Sequence, residues 1–495
     1  MHYVSRERVL ALTRPYNWPA IGVLFFLLCS RLLAMIFVPL IDSTEARYAE
    51  ISRIMLETNN WITPMHHYGE PFWAKPPLST WLSALSMKAL GVTAFAARVP
   101  GLFLSIMILA LVWSIAKKRS GKSVALNAVL ILAGSFYFFL DAGTVMTDPA
   151  LLFCTTLSLI AFAQVVILKQ RAWRYVFFIG LGLGLLAKGP VALVLTGMPI
   201  LAWVLWQKKI KTTLHELPWF FGGLLMLMIA VPWYVLAELH TPGFLNYFLI
   251  GEHLQRFLQP GWSGDKYGFA HIAPYGMIWL YAFLGMCPWS ILAVGWVWGH
   301  GKKLRAIVPD PDGWLYYLLL CALLPLVFFT FARNIIYPYV FPSLPAFALL
   351  SAELIGRVSA QSNGRRLILW TSTLSGSGFL LATLIFVLRP ELVANTQQSV
   401  VNVLQQQAHS NLSKFVYWTY KINYSAQFYS AGRAVATLDE DRLRALISSN
   451  VNHYIIVDAD QAVPLPADIS ADLHQVSQVN VLSKIFNVYR LAKNS

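Results

Sequence analysis

Apolar runs of about 20 residues, long enough to cross a bilayer as helix, recur along this chain, and the short connections between them alternate in charge. The runs fall near residues 19–41, 93–116, 124–141, 149–168, 175–187, 190–206, 217–237, 272–299, 314–331, 340–356 and 367–388. Every second connection is basic. The clusters are Lys117-Lys118-Arg119 with Lys122; Lys169, Arg171 and Arg174; Lys208-Lys209 with Lys211; Lys302-Lys303 with Arg305; and Arg357 with Arg365-Arg366. The connections between them are mixed or nearly neutral. Lysine and arginine collect on the cytoplasmic side of membrane proteins, so the N-terminus, with Arg6, Arg8 and Arg14, is expected inside. A single miscounted span would put half the clusters on the wrong side. The expected fold is an all-α polytopic membrane protein of about eleven transmembrane helices with its C-terminus outside.

Composition agrees with that class. A chain with 57% hydrophobic and 12% charged residues is not a soluble globule. The net charge of +15 is divided among the inside clusters rather than gathered on one surface, so a nucleic-acid partner is not expected. Cys29, Cys154, Cys287 and Cys321 all fall in apolar runs, which argues against a disulfide framework. The first run is too long for a cleavable leader and no small-residue cleavage site follows it.

Two regions break the pattern. The first outer loop, 42–91, carries two segments with helical periodicity. From Thr44 to Glu57, Arg47, Glu50, Arg53 and Glu57 make one stripe, and Tyr48, Ile51 and Met55 make another, as on a helix lying at an interface. From Pro76 to Leu90, Leu78, Trp81, Leu82, Leu85 and Ala89 repeat at the same period, with prolines suited to the first turn and Gly91 to the stop. Beyond Arg389 the chain becomes polar. A helix is expected from Asp439 to Ser448 and strands over Tyr454–Val457 and Ile485–Leu491. The chain thus divides into a membrane domain, 1–388, and a small outer α/β domain, 389–495.

Charged groups at a bilayer edge are costly unless used or paired, and several meet that description. Asp42 and Glu45 read either as general bases for an incoming hydroxyl or as the start of a capping box. Asp148, in Thr147-Asp148-Pro149, reads either as a catalytic acid or as an N-cap. Arg47, Lys75, Arg256 and Arg333 are outward cations that could neutralise a phosphate or anchor the helices by snorkelling, and Lys188 invites the same two readings. Glu252 and His253 offer ligands to a divalent metal, or belong to a polar loop. The sequence carries no P-loop, nucleophile elbow or dinucleotide fingerprint in a suitable context.

Taken together, Thr44-Glu45-Ala46-Arg47-Tyr48-Ala49-Glu50-Ile51, Trp61-Ile62-Thr63-Pro64 and Lys75-Pro76-Pro77-Leu78 resemble bacterial polyprenyl-phosphate-sugar-dependent glycosyltransferases of the GT-C fold. The likeness continues through Thr147-Asp148-Pro149, Ala187-Lys188-Gly189, Glu252-His253-Leu254-Gln255-Arg256-Phe257 and Ala332-Arg333 with Tyr337 and Tyr339. It is strongest to the aminoarabinose transferases acting on lipid A, which are related to the protein O-mannosyltransferases. The resemblance implies a bacterial inner-membrane enzyme with a periplasmic active site. Its donor would be an undecaprenyl-phosphate-linked sugar, and its acceptor lipid A, lipopolysaccharide or another envelope glycan, or else protein hydroxyls. By the same resemblance the first-loop acid and Asp148 would act at the reacting centre, and Arg47, Tyr48, Lys75, Arg256, Arg333, Tyr337 and Tyr339 would hold the lipid phosphate. Two departures stand out. Thr44 occupies the place of the aspartate that those enzymes carry before Glu45, so the acid falls to Glu45 or Asp42. Ala74 occupies the place of their glutamate before Lys75, which weakens a metal shared with His253. A transporter or flippase of lipid-linked sugars is the rival from another class. It calls for charges in mid-span and two-half symmetry, whereas the candidate ionisable groups here cluster at one face and no two-half symmetry is visible.

Overall fold

The computed structural model describes residues 17–268, 271–295, 298, 310, 312–358, 361–408, 412–448, 453–460 and 463–491. Arg6, Arg8, Arg14, Lys302, Lys303 and Arg305 lie outside them. Among the described residues, six helices are long and apolar enough to cross a membrane: Trp18–Phe37, Ala94–Ser120, Asp148–Val166, Trp219–His240, Tyr337–Arg357 and Gly364–Leu388. The pair Met277–Gly285 and Trp289–Gly295, bent by 99°, makes a seventh. Pro288 sits at that break, where a missing N–H interrupts the helical ladder. The other apolar runs hold shorter helices: Lys122–Ala133, Arg174–Lys188, Val191–Trp206 and Trp314–Thr330. The chain is a multi-pass membrane protein.

The chain divides into two compact units. The helical unit comprises Met1–Leu32, Pro71–Ser79 and Val99–Leu380. At its centre the Asp148–Val166 helix is 94% buried in its most apolar window, against 22% for Trp219–His240. A helix apolar on every side belongs in a core or in lipid. The first is wrapped by protein, whereas the second bares Phe220, Met228 and Leu239 as a lipid-facing surface would. Gly180 and Gly184, four residues apart, let the Arg174–Lys188 helix approach its neighbours closely. A Cβ on Gly184 would sit 2.8 Å from Ala192 Cβ and 3.5 Å from Cys154 Cβ. Small residues at this spacing are how membrane helices gain packing contact without a hydrophobic driving force.

The second unit comprises Leu33–Glu70, Thr80–Arg98 and Leu381–Ser495. Its five-stranded sheet runs in the spatial order Ala434–Thr437, Phe415–Trp418, Tyr454–Asp458, Lys484–Leu491, Leu473–Val481. The first three strands are parallel and the last two antiparallel. Phe415-Val416-Tyr417-Trp418 reads in sequence as an isolated aromatic patch; it is the second strand of the sheet, flanked on both edges. Phe415 and Tyr417 enter the core under the Gln398–Gln407 helix, while Val416 and Trp418 enter a second core around Leu443. A strand covered on both faces shows no alternation for sequence reasoning to detect. The Glu440–Ile447 helix forms as expected, with Asp439 accepting from Arg442 N at 3.0 Å as its N-cap.

The first-loop helix also forms, over Thr44–Thr58. The apolar stripe is covered, and so is the middle of the charged one: Glu50 is 0% and Arg53 4% exposed, while the Glu57 side chain is 52% exposed. Arg53 is held by Glu50 at 2.7 and 2.8 Å, Glu57 at 2.5 Å and Tyr68 at 2.8 Å, a network that lets these charges be buried. The helix expected from Pro76 begins at Leu78, after both prolines.

Candidate active site

In the helical unit the site is built around one unusual turn. Asn246–Gln255 is wound as a π-helix, a rare form that concentrates at functional sites because its wider turn re-aims side chains. That turn carries Glu252 inward. Its side chain is 2% exposed and receives Lys75 Nζ at 2.9 Å, Arg256 Nη1 at 3.1 Å and the Tyr247 hydroxyl at 3.2 Å. Arg256 also faces Asp265 at 3.4 Å. Burial alone would push the Glu252 carboxyl up, but Lys75 and Arg256 outweigh it and hold it below the usual range, so it stays ionised. Burial first, and then the Glu252 charge, raise the Tyr247 phenol, which remains a neutral donor. The two cations differ from their anion in one respect. Lys75 and Arg256 side chains are 20% and 21% exposed; Lys75 Nζ also donates to the Ala74 carbonyl at 2.7 Å, so the donors open to a ligand are those used neither there nor on the two carboxylates. Lysine has three and arginine five.

The next residue ties this cluster to a second pair. His253 Nε2 lies 3.2 Å from the Lys188 carbonyl and Nδ1 2.8 Å from the Phe248 carbonyl. Lys188 Nζ meets Asp148 Oδ1 at 2.5 Å and stands 5.0 Å above the Tyr339 ring. Tyr339 stacks on Phe329 at 4.5 Å. Asp148 opens the Asp148–Val166 helix, but that helix carries no side-chain cap; the ion pair, not the N-cap, is the role the fold gives this carboxylate. Gly189, at φ +85°, allows the approach. A Cβ there would lie 2.6 Å from Phe248 and 3.0 Å from His253 Nε2. Gly189→Ala is therefore expected to cost at least about 1–2 kcal/mol through the left-handed backbone alone, and to lower activity. Thermal unfolding and initial rates check both.

The other predicted cations and tyrosines of this unit have separate environments. Arg333 lies 4.4 Å from the Tyr275 ring, and its backbone N donates to the Phe257 carbonyl at 3.1 Å. Tyr337 packs against Tyr137 at 5.0 Å. Of the residues offered for a metal, the Glu252 carboxylate is engaged by two cations, and the His253 ring nitrogens each face a carbonyl oxygen. Among the described residues no three His, Cys, Asp or Glu side chains gather as ligands.

Asp42, Glu45, Arg47 and Tyr48 lie in the second unit. Glu45 accepts from Arg98 Nε at 2.8 Å and Nη2 at 2.7 Å, and Arg98 also donates to the Met35, Val38 and Pro39 carbonyls. Asp42 accepts from Ser425 N at 3.0 Å and from the Ser425 hydroxyl. Ser43 precedes the helix without capping it, so the capping box is not formed. Arg47 lies 5.5 Å from the Tyr48 ring. Burial lifts the Asp42 carboxyl to about 6 even though the Ser425 hydrogen bonds pull it down. Its folded value lies above the unfolded one, so its contribution to stability is full below the unfolded value and is lost as pH rises through about 6. From the roughly two-unit shift, up to about 3 kcal/mol follows. Unfolding measured at pH 4.5 and 7.5 should show this loss, and Asp42→Asn should flatten the dependence.

Sequence reasoning missed Arg98, Asp141, Tyr247, Asp265 and Asn334. Arg98 and Asp141 could have been found, since each is a charge inside an apolar run. Asp141, 2% exposed, has no hydrogen-bond partner on either carboxylate oxygen and feels Asp148, Arg31 and Lys188. Asn334 donates to the Arg256 carbonyl at 2.5 Å and the Gln259 carbonyl at 2.8 Å, pinning the turn. No local signal marks it.

The structure aligns over 96% of this chain and 98% of the other with the crystal structure of ArnT from Cupriavidus metallidurans bound to undecaprenyl phosphate, at TM-score 0.76 and 17% identity. The apo state of that protein aligns at TM-score 0.72. The chain thus has the GT-C fold of membrane glycosyltransferases. Residues 24–248 match the dolichyl-phosphate-mannose-protein mannosyltransferase family. Among curated proteins it is similar to the undecaprenyl phosphate-alpha-4-amino-4-deoxy-L-arabinose arabinosyl transferases of Edwardsiella ictaluri, 30% identical over 65% of this chain, and Aeromonas salmonicida, 31% identical over 66%. The aligned part spans 56% and 58% of the length of those relatives.

Proposed function

We propose that this protein is an inner-membrane glycosyltransferase that moves a sugar from undecaprenyl phosphate to lipid A or another envelope glycan at the periplasmic face. The observation that carries the reading is the pair of partly exposed cations, Lys75 and Arg256, fixed on one buried carboxylate. When the sugar leaves its carrier, negative charge grows on the lipid phosphate. Donors already oriented toward that position stabilise it without reorganising. Glu252 keeps the two cations from repelling each other and sets their direction, while their remaining N–H groups take the phosphate oxygens. Arginine can offer two in parallel.

Asp148 is the acid assigned to the acceptor, as the proton acceptor from the incoming hydroxyl. Lys188 orients it, and His253 links its position to the turn that holds the phosphate ligands. Tyr339, under Lys188, lines the same cluster. Arg333 and Tyr337, in the same unit, are further candidate donor ligands. Glu45, bound to Arg98, anchors the first loop.

The protein in nanodiscs, given undecaprenyl-phosphate-aminoarabinose and purified lipid A, is expected to yield lipid A heavier by one aminoarabinose in mass spectra. Failure to transfer with that donor, and with other undecaprenyl-phosphate sugars paired with envelope lipids, would overturn the reading.

A further inference from the structure

The second unit contains a cavity that the catalytic reading does not use. It measures about 340 Å³, within the range of small-ligand sites. Its position follows from the sheet. In chain order the three parallel strands are Phe415–Trp418, Ala434–Thr437 and Tyr454–Asp458, but in space the first lies between the other two. After the first strand the chain passes through the Tyr424–Tyr429 helix to one side. It then returns through the Glu440–Ile447 helix to the other side. Ala426 of the former packs in the core on one sheet face and Leu443 of the latter in the core on the opposite face. The connection leaving the carboxyl end of Phe415–Trp418 thus packs Ile422 and Ala426 on one face, whereas the one leaving Tyr454–Asp458 packs Val463, Leu465 and Ile469 on the opposite face, so the chain diverges at those two carboxyl ends. In open α/β sheets such a switch point leaves a crevice, and ligands bind there.

The cavity lies at that place. Trp418 and Thr419 come from the end of one strand and Asp458 from the end of the other, while Ser483 and Lys484 come from the hairpin that joins the two antiparallel strands. Its chemistry is that of a sugar site with a charge. Asn395, Gln397 and Asn423 supply amides, groups that both donate to and accept from hydroxyls. Gln397 is 1% exposed and is held by the Tyr417 hydroxyl at 3.4 Å. Two lysines stand at the rim. Lys484 is matched by Asp458 at 2.6 Å. Lys421 is exposed and makes no hydrogen bond or ion pair among the described residues, leaving one positive charge in excess among those lining the mouth.

We propose that this cavity binds a phosphorylated saccharide, its hydroxyls on the amides and its phosphate on Lys421. The source is either a soluble sugar phosphate or the headgroup of a phosphorylated glycolipid, since both present the same groups. The proposal needs no donor and no transfer, so its failure leaves the catalytic reading standing.

The full chain in phosphatidylcholine nanodiscs is titrated with glucosamine 1-phosphate, glucosamine and inorganic phosphate, read by saturation-transfer NMR. The sugar phosphate is expected to bind in preference to both fragments. Lys421→Glu should weaken it by about tenfold or more, the worth of one charge-assisted contact, and Ser483→Trp should block the mouth. Both positions are exposed, and unchanged melting curves confirm that the variants fold. In a second arm, lipid A is added to the nanodiscs. Competition assigns the site to a glycolipid headgroup, and retained binding of the sugar phosphate assigns it to the soluble ligand. Absence of saturable sugar-phosphate binding, or binding that both variants leave unchanged, overturns the proposal.

Discussion

Lys75→Met is expected to reduce sugar transfer by about 10²–10³-fold, the usual loss when one preorganised donor is removed from developing charge. The fold should survive it. Glu252 keeps Arg256 at 3.1 Å and the Tyr247 hydroxyl at 3.2 Å, so the buried carboxylate is not left without a counter-charge. The loss should therefore appear in kcat/KM and not in the melting temperature. Lys75→Arg, which keeps the charge but not the reach, should recover part of the rate. Wild-type rates in Lys75→Met would remove the lysine from the reaction and take the proposed phosphate site with it.

The second large effect concerns Asp148 and Lys188, whose side chains are 6% and 11% exposed. Removing either partner of a buried pair leaves an uncompensated charge, which costs about 3–5 kcal/mol. Lys188→Met and Asp148→Asn should each destabilise the protein by an amount of that order. The double variant should recover most of that stability, because nothing charged remains to be desolvated. Activity should behave differently. If Asp148 receives the acceptor's proton, the double variant stays inactive although it is stable. Recovery of both together would make the pair a structural strut.

The spans, and the charged residues in the connections between them, were legible because both are properties of local sequence. A run of about 20 apolar residues is a membrane span whatever surrounds it, and Thr147-Asp148-Pro149 marks a helix start on its own. Bends and breaks were less visible. The run near 272–299 becomes two helices at 99°, and the run near 124–141 divides into Lys122–Ala133 and Phe136–Asp141.

The sequence by itself determined a polytopic membrane protein with acids and cations held in the connections between its spans, since hydropathy and charge placement are enforced by the bilayer rather than by the fold. Which charges became partners was decided only by tertiary structure. Lys75 and Glu252, 177 residues apart, meet through a π-turn that no periodicity announces, and Lys188 finds Asp148 across 40 residues. Glu45 goes to Arg98 rather than to a helix cap. Ion pairs form where the backbone brings side chains together in a low-dielectric interior, and the energy that selects them depends on separation and burial, two quantities that do not exist until the chain has folded.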